Sequence, residues 1–240
     1  MAIGNVTPDS FYPASRIADT DALVRWARVS LDEGAAILDI GGCSTRPNAP
    51  LASETEEWDR VAPALAALRE AVPEAQLSLD TFRPTIARRA LELFGPMIIN
   101  DISGGTEEMY EVVRHWSVPY IWTLCGRLYL PAMHPEMSDI DLILDPGLGF
   151  IGSVEADHAC LRDLPRLQAF GRPILVGLSR KSMLYRPLGI TPEQTLAATQ
   201  VAHLFALQQG ATILRTHDVR ETKQTIQLFE LWHSNSDSRT

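Results

Sequence analysis

The chain lacks any apolar run of membrane-spanning length, and its N-terminus shows no basic-then-apolar signal segment. Both absences lead to the expectation of a cytoplasmic protein with no membrane partner. Cysteine is scarce: there are only three, Cys43, Cys125 and Cys160, and they are widely spaced. No pair forms a zinc half-site or a redox CxxC, so reduced thiols are expected. His115, His134, His158 and His203 have no metal-like spacing either. Excess positive charge is also missing. The formal net charge is −9, which argues against nucleic acid as a partner. It leaves room for an anionic small substrate, because a few local cations set the field inside a cleft. No linker divides the chain, so residues 1–232 read as one domain and 233–240 as a polar tail.

What the chain does contain is a pattern repeated along its length. Short apolar runs end in a polar, chemically capable residue: Ile37-Leu38 at Asp39, Leu77-Ser78-Leu79 at Asp80, Met97-Ile98-Ile99 at Asn100 and Asp101, Ile143-Leu144 at Asp145. Ile174-Leu175-Val176 runs into Gly177-Leu178-Ser179-Arg180-Lys181, and Ile213-Leu214 ends at Arg215 and His217. Short apolar runs are how buried parallel strands read. A (β/α)8 barrel builds its active site where such strands end. Carboxylates, an amide and cations delivered to one rim suit a small polar ligand with an anionic end, and hence an enzyme.

Turn and cap signals divide the chain accordingly. Strands are expected over 1–6, 36–40, 76–79, 97–99, 119–124, 141–144, 174–177 and 212–214. Helices are expected from Thr20, from the Ser53/Glu56 capping box to Ala71, and from Pro84 to a stop at Gly95. Further helices are expected over Glu107 to Trp116, from Thr191-Pro192 to Gln209, and over Val219 to Trp232. The pattern predicts eight strands but only seven helices, of which these six have legible bounds. Cys125 to Ser138 carries Gly126, Pro131 and Pro135 and no helical period, so a regular fifth helix is not expected. That gap would bare apolar flanks on its neighbouring helices, for a partner subunit to cover. Trp26, Trp58 and Trp116 lie in helices and read as packing residues.

Several runs together resemble the dihydropteroate synthases. They are Asn5-Val6-Thr7-Pro8-Asp9-Ser10-Phe11, Asp39-Ile40-Gly41-Gly42, Ser44-Thr45-Arg46-Pro47, Leu79-Asp80-Thr81 and Asn100-Asp101-Ile102-Ser103-Gly104-Gly105. Asp145-Pro146-Gly147-Leu148-Gly149-Phe150, Ser179-Arg180-Lys181-Ser182 and Arg215-Thr216-His217-Asp218-Val219 complete the set. The resemblance implies a pterin-binding TIM barrel, a single domain at 240 residues, and a transferase of folate biosynthesis. Such an enzyme condenses 6-hydroxymethyl-7,8-dihydropterin diphosphate with para-aminobenzoate, losing diphosphate before the amine attacks. Magnesium is the implied cofactor and a homodimer the implied assembly.

The roles of individual residues are also what the resemblance implies. Asp80, Asn100, Asp145 and Lys181 would bind pterin. Asn5, Thr45, Arg46, Arg215 and His217 would bind diphosphate, Asn5 also holding the metal. Thr45, Phe150, Ser179 and Ser182 would face para-aminobenzoate. Asp9, Thr45, Arg46 and Lys181 would take part in catalysis, while Asp39 and Asp101 are weaker candidates that could orient loops instead. The chain also departs from the family pattern. Numbering begins inside strand one, which leads to the expectation of an open barrel floor. Thr123-Leu124-Cys125-Gly126-Arg127 replaces a Met-His-Met-type turn, and Ile151-Gly152-Ser153 replaces a lysine. Two rival readings remain beside the synthase: a catalytically impaired pterin-binding paralogue and a pterin-dependent methyltransferase. The methyltransferase would have no use for Thr45-Arg46 or for Arg215-Thr216-His217.

Overall fold

The computed structural model describes residues 1–7, 19–43, 51–126, 128 and 137–234. Eight short strands carry the fold: β1 (Ala2–Asn5), β2 (Ile37–Gly41), β3 (Gln76–Asp80), β4 (Ile98–Asp101), β5 (Tyr120–Thr123), β6 (Leu142–Asp145), β7 (Leu175–Gly177) and β8 (Ile213–Arg215). β1 to β6 pair in chain order, and β7 pairs with β8; every pairing is parallel. Single bridges join the two sets on both sides, Leu144 to Ile174 and Ala2 to Thr216. The second join is secured by Ile3 N–H on the Thr216 carbonyl at 3.0 Å and Thr216 N–H on the Met1 carbonyl at 2.9 Å. The strands therefore close into the expected (β/α)8 barrel.

Around it lie α1 (Thr20–Asp32), α2 (Glu54–Ala71), α3 (Pro84–Phe94), α4 (Glu107–Trp116), α5 (Val154–Arg162), α6 (Ser182–Leu188), α7 (Leu196–Gln208) and α8 (Val219–Ser234). The boundary signals act as their chemistry requires. Ser53 and Glu56 form the capping box of α2, Pro84 opens α3, and Gly95 ends α3 at φ 77°, a backbone region that favours glycine. One helix more than expected is present among the described residues. It is α6, seven residues long with an internal Pro187, too short for a periodic signal. The last helix also runs past Trp232 into the expected tail, where His233 and Ser234 bond the Phe229 and Glu230 carbonyls.

Between β5 and β6 the described residues contain no α-helix; residues 127 and 129–136 lie outside them. Among the described residues, α4 and α5 expose no large apolar side chain, so the expected bare flanks are not found there. Leu128, Met137 and Ile140 are buried in the main core, and Arg114 on α4 donates to Asp139 at 3.1 Å. The described part of the connection thus meets α4 through Asp139. Large exposed apolar residues gather elsewhere, on α7 and α8. The tryptophans pack as expected: Trp58 stacks on Phe94 under the Arg89 guanidinium. Trp26 lies where a Cβ on Gly4 would come within 2.7 Å of its ring, so the first strand needs a glycine there.

Candidate active site

Side chains alternate along a strand, and here the alternation divides two kinds of chemistry. One set of strand residues, including Leu38, Ile40, Leu77, Leu79, Ile99, Leu142, Leu144, Val176 and Leu214, joins the core beneath the helices. The other set faces the barrel axis. Its lower layer is apolar: Ile98, Ile121, Ile143 and Leu175 form a buried cluster, with Met1, Ile37 and Ile213 packed against it. Two residues further on, about 6.6 Å along each strand, the same face carries Asp39, Asn100, Thr123, Asp145, Gly177 and Arg215. Asp80 stands level with Asn100 through the β3–β4 register. An apolar floor therefore supports a polar layer at the C-terminal mouth.

Arg215 organises that layer. Its Nε donates to Asp39 Oδ2 at 2.6 Å and its Nη2 to Asp80 Oδ2 at 2.6 Å. Asn100 Nδ2 also donates to Asp39 Oδ2, at 3.1 Å, which leaves the Asn100 carbonyl as the group able to accept from a ligand. Asp39 is fully buried, and its Oδ1 has no partner among the described residues. Two carboxylates share one guanidinium, so one negative charge is left over. Burial raises the Asp80 carboxyl to about 7; Arg215 opposes the rise, and Asp39, Glu57 and Asp101 add to it. Burial works against the Arg215 cation, but Asp39 and Asp80 outweigh it and hold the guanidinium charged.

Asp145 and Lys181 complete the ring. Asp145 Oδ1 accepts Gly147 N–H at 2.8 Å, and burial pushes its carboxyl upward against the pull of Lys181. Lys181 is no solvated loop residue: its ammonium bonds the Leu148 carbonyl and lies 4.9 Å from the Phe150 ring centre. Burial lowers its amine to about 8, with Asp145 opposing. Gly177 lies beside the lysine: a Cβ there would make an ordinary contact with Nζ at 3.6 Å. Phe150 is 39% exposed, so Lys181 and Phe150 form an accessible wall beside the polar layer.

The loops after β7 and β8 are locked together. Arg180 grips Asp218 through two bonds, at 3.1 and 2.6 Å, and the buried Ser179 accepts His217 N–H at 3.2 Å. Ser179 therefore holds the β8 loop, while Ser182 opens α6, half-buried. Burial lowers the His217 imidazole to about 4, with Asp218 opposing. Asn5 ends β1 level with Gly41 and is half-buried at the rim. Asp101 orients a loop and a tyrosine: it accepts Ser103 N–H at 2.7 Å and the Tyr120 hydroxyl at 2.8 Å.

Asp9, Thr45 and Arg46 lie outside the described residues. The ends of the segment carrying Thr45 and Arg46 are nevertheless fixed. Arg60 donates to the Gly42 carbonyl at 3.0 Å, and Arg83 bonds both Glu57 and the Ala52 carbonyl. Glu57 is fully buried and also accepts the Thr81 hydroxyl at 2.6 Å. Its place in the first turn of α2 reads as an ordinary dipole-complementing acid, so its anchoring role carried no sequence signal. At the departures from the family pattern, Ser153 caps α5 by accepting Ala156 N–H at 3.1 Å. Ile151 fills the space above Gly126. Among the described residues no three His, Cys, Asp or Glu side chains form a metal-holding group, and no helix is long and apolar enough to cross a membrane.

The model of a family described as pterin binding enzyme matches residues 1–127 and 132–217. A dihydropteroate synthase of Clostridium beijerinckii is 32% identical over 251 residues, covering 96% of this chain and 93% of its own. The Yersinia pestis dihydropteroate synthase, solved with a sulfonamide drug complex, superposes with a TM-score of 0.87 at 31% identity, over 97% of this chain and 93% of that one. The Coxiella burnetii dihydropteroate synthase, solved in complex with pteroic acid, gives a TM-score of 0.85 at 31% identity, over 98% and 93% of the two chains. By sequence over nearly its whole length and by fold, the chain belongs to the pterin-binding enzymes, and among them to the dihydropteroate synthases.

Proposed function

We propose that this barrel joins 6-hydroxymethyl-7,8-dihydropterin diphosphate to para-aminobenzoate, releasing dihydropteroate and diphosphate, with diphosphate leaving before the amine attacks. One observation carries the residue assignment: the inward layer that places Asp80, Asn100, Asp145, Lys181 and Arg215 together above an apolar floor. Asp145 and Asp80 supply carboxylate oxygens for the ring N–H groups of the pterin, and Asn100 supplies its carbonyl. Their negative charge favours the cation that develops on the methylene carbon as diphosphate departs. Arg215 pairs with both Asp39 and Asp80 and opposes the rise of the Asp80 carboxyl. Lys181 covers one side of the ring and, with Phe150 and Ser182, bounds the para-aminobenzoate side.

His217 meets the diphosphate as a neutral ring near pH 7, given how far burial lowers it. Asp9, Thr45 and Arg46, outside the described residues, are the further residues assigned to the reacting groups. A guanidinium in that role suits phosphate oxygens. For magnesium, the donor set among the described residues is the Asn5 amide alone. That fits an ion that takes one or two protein oxygens and completes its shell with substrate phosphate and water. When bound, magnesium would neutralise charge on the leaving diphosphate.

The test is para-aminobenzoate-dependent diphosphate release followed against pH. Asp80, raised to about 7, must ionise to accept ring donors, and Lys181, lowered to about 8, must keep its proton. The rate at low pterin substrate should therefore be bell-shaped, rising through 7 and falling above 8. Asp80→Asn should remove the acid limb. A flat profile between pH 6 and 9 would overturn these assignments.

The assembly we propose is a homodimer through α7 and α8, which pack side by side. Val201 and Phe205 on α7 and Leu228, Leu231 and Trp232 on α8 are large, apolar and exposed, a surface of the kind that marks an interface. Light scattering should give twice the 26.5 kDa chain mass, and Trp232→Glu with Phe205→Glu should halve it. A monomer at micromolar concentration would contradict the proposal.

A further inference from the structure

Asp157 is a buried carboxylate to which the pterin chemistry gives no task. It lies in the first turn of α5, where Glu155, two residues earlier, is exposed. Asp157 is only 3% exposed, and a carboxylate so placed needs a donor. Its donor is Gly149 N–H, at 2.7 Å. Gly149 is the centre of the turn on which Lys181 rests. The turn is closed by Phe150 N–H on the Gly147 carbonyl at 3.0 Å. The Leu148 carbonyl in the same turn accepts the Lys181 ammonium, and the Phe150 ring lies below it. Gly149 has φ 87°, and a Cβ on it would come within 2.8 Å of Lys181 Cδ. The lysine stem thus lies against bare backbone, held by a helix that does not itself reach the pocket.

We propose that Asp157 is a positioning residue for Lys181: it fixes the 147–150 turn beneath the lysine and supplies a buried negative charge that favours the ammonium form. The inference rests on the functional reading above. The charges acting on Lys181 come from four other elements: Asp145 on β6, Asp157 on α5 and Asp80 on β3 favour its charge, and Arg215 on β8 opposes it. Burial raises the Asp157 carboxyl, and Gly149 N–H, Lys181 and the neighbouring His158 oppose the rise. The ammonium is marginal at mildly basic pH, so the loss of one favourable charge is measurable there.

Asp157→Asn separates the two parts of the role, because it keeps an oxygen for Gly149 N–H and removes the charge. The variant should fold and bind pteroic acid at pH 7 within about twofold of the parent, while the basic limb of the pH profile moves down by roughly half a unit or more. Asp157→Ala, which also loses the bond to Gly149, should raise the KM for the pterin substrate about tenfold with a smaller change in kcat. With Lys181→Arg, which stays charged, the limb should vanish and Asp157→Asn should no longer shift it. Should Asp157→Asn fail to fold, Asp157→Ser, also uncharged and able to accept, serves the same comparison. A basic limb that coincides with the parent's, in a protein that binds pterin and turns over, overturns the positioning role. A parent that neither binds pterin nor turns over overturns the functional reading instead.

Discussion

Asp145→Ala should abolish measurable pterin binding while leaving the fold intact. The carboxylate stands at the end of β6, at the barrel mouth, where a 2-amino-4-oxo pterin presents adjacent donors that one carboxylate accepts together. A hydrogen bond to a charged partner contributes about 1.5–3 kcal/mol. Two of them lost correspond to a weakening of roughly a hundredfold or more. The cost to stability should be small. Burial raises the Asp145 carboxyl in the folded protein, so its ionised form opposes folding near neutral pH, and removing it relieves that penalty. What the variant gives up is the 2.8 Å bond from Gly147 N–H and the charge that favours the Lys181 ammonium. Calorimetric titration with pteroic acid, beside a thermal melt, checks both parts. Equal affinity in parent and variant would sink the role assigned to Asp145.

Arg215→Ala should behave in the opposite way, with a large loss of stability as well as of binding. The guanidinium is the shared partner of Asp39, fully buried, and Asp80, about a quarter exposed. Removing it leaves two buried carboxylates facing each other. Breaking a buried pair by deleting one partner costs about 3–5 kcal/mol, a drop in melting temperature on the order of 10 °C for a chain of this size. The sign of the pH dependence follows from the same geometry. Without Arg215, burial and the neighbouring Asp39 raise the folded-state Asp80 carboxyl further above its unfolded value. A raised carboxyl loses stability as pH rises from the unfolded value through the folded one. The gap to the parent should therefore be wider at pH 8 than at pH 5. An equal gap at both pH values would mean that the carboxylates do not depend on this cation.

The two variants bear on what the sequence makes legible. The strands are readable because each carries a short apolar run, and the rim is readable because each run ends in a polar residue. The structure gives that ending a reason: with a period of two, Ile37, Ile98, Ile143 and Ile213 face the axis as floor, and Asp39, Asn100, Asp145 and Arg215 face it one step above. What cannot be read locally is who pairs with whom. Arg215 reads as a phosphate-facing cation at a strand end, yet in the structure its bonds go to Asp39 and Asp80, 176 and 135 residues earlier in the chain. Asp39, a weaker candidate by sequence, is the buried centre of that network.

Helical positions hide their roles for a different reason. Glu57 and Asp157 both sit in first turns, where an acid is ordinary. Only the tertiary structure shows that each is buried and holds a loop. The connection after β5 has no helical period in sequence, and that much was legible. Its consequence was not, because only the folded chain shows Leu128, Met137 and Ile140 buried in the main core.

The most direct measurement is product formation. Purified protein is mixed with 6-hydroxymethyl-7,8-dihydropterin diphosphate, magnesium and para-aminobenzoate, and both diphosphate and pterin product are quantified, the latter by mass. A dihydropteroate synthase yields dihydropteroate and diphosphate in equal amounts, with the Asp145→Ala variant inactive under the same conditions. Pterin binding without any dihydropteroate would contradict the account: it would mean a barrel that has kept the inward polar layer and lost the reaction.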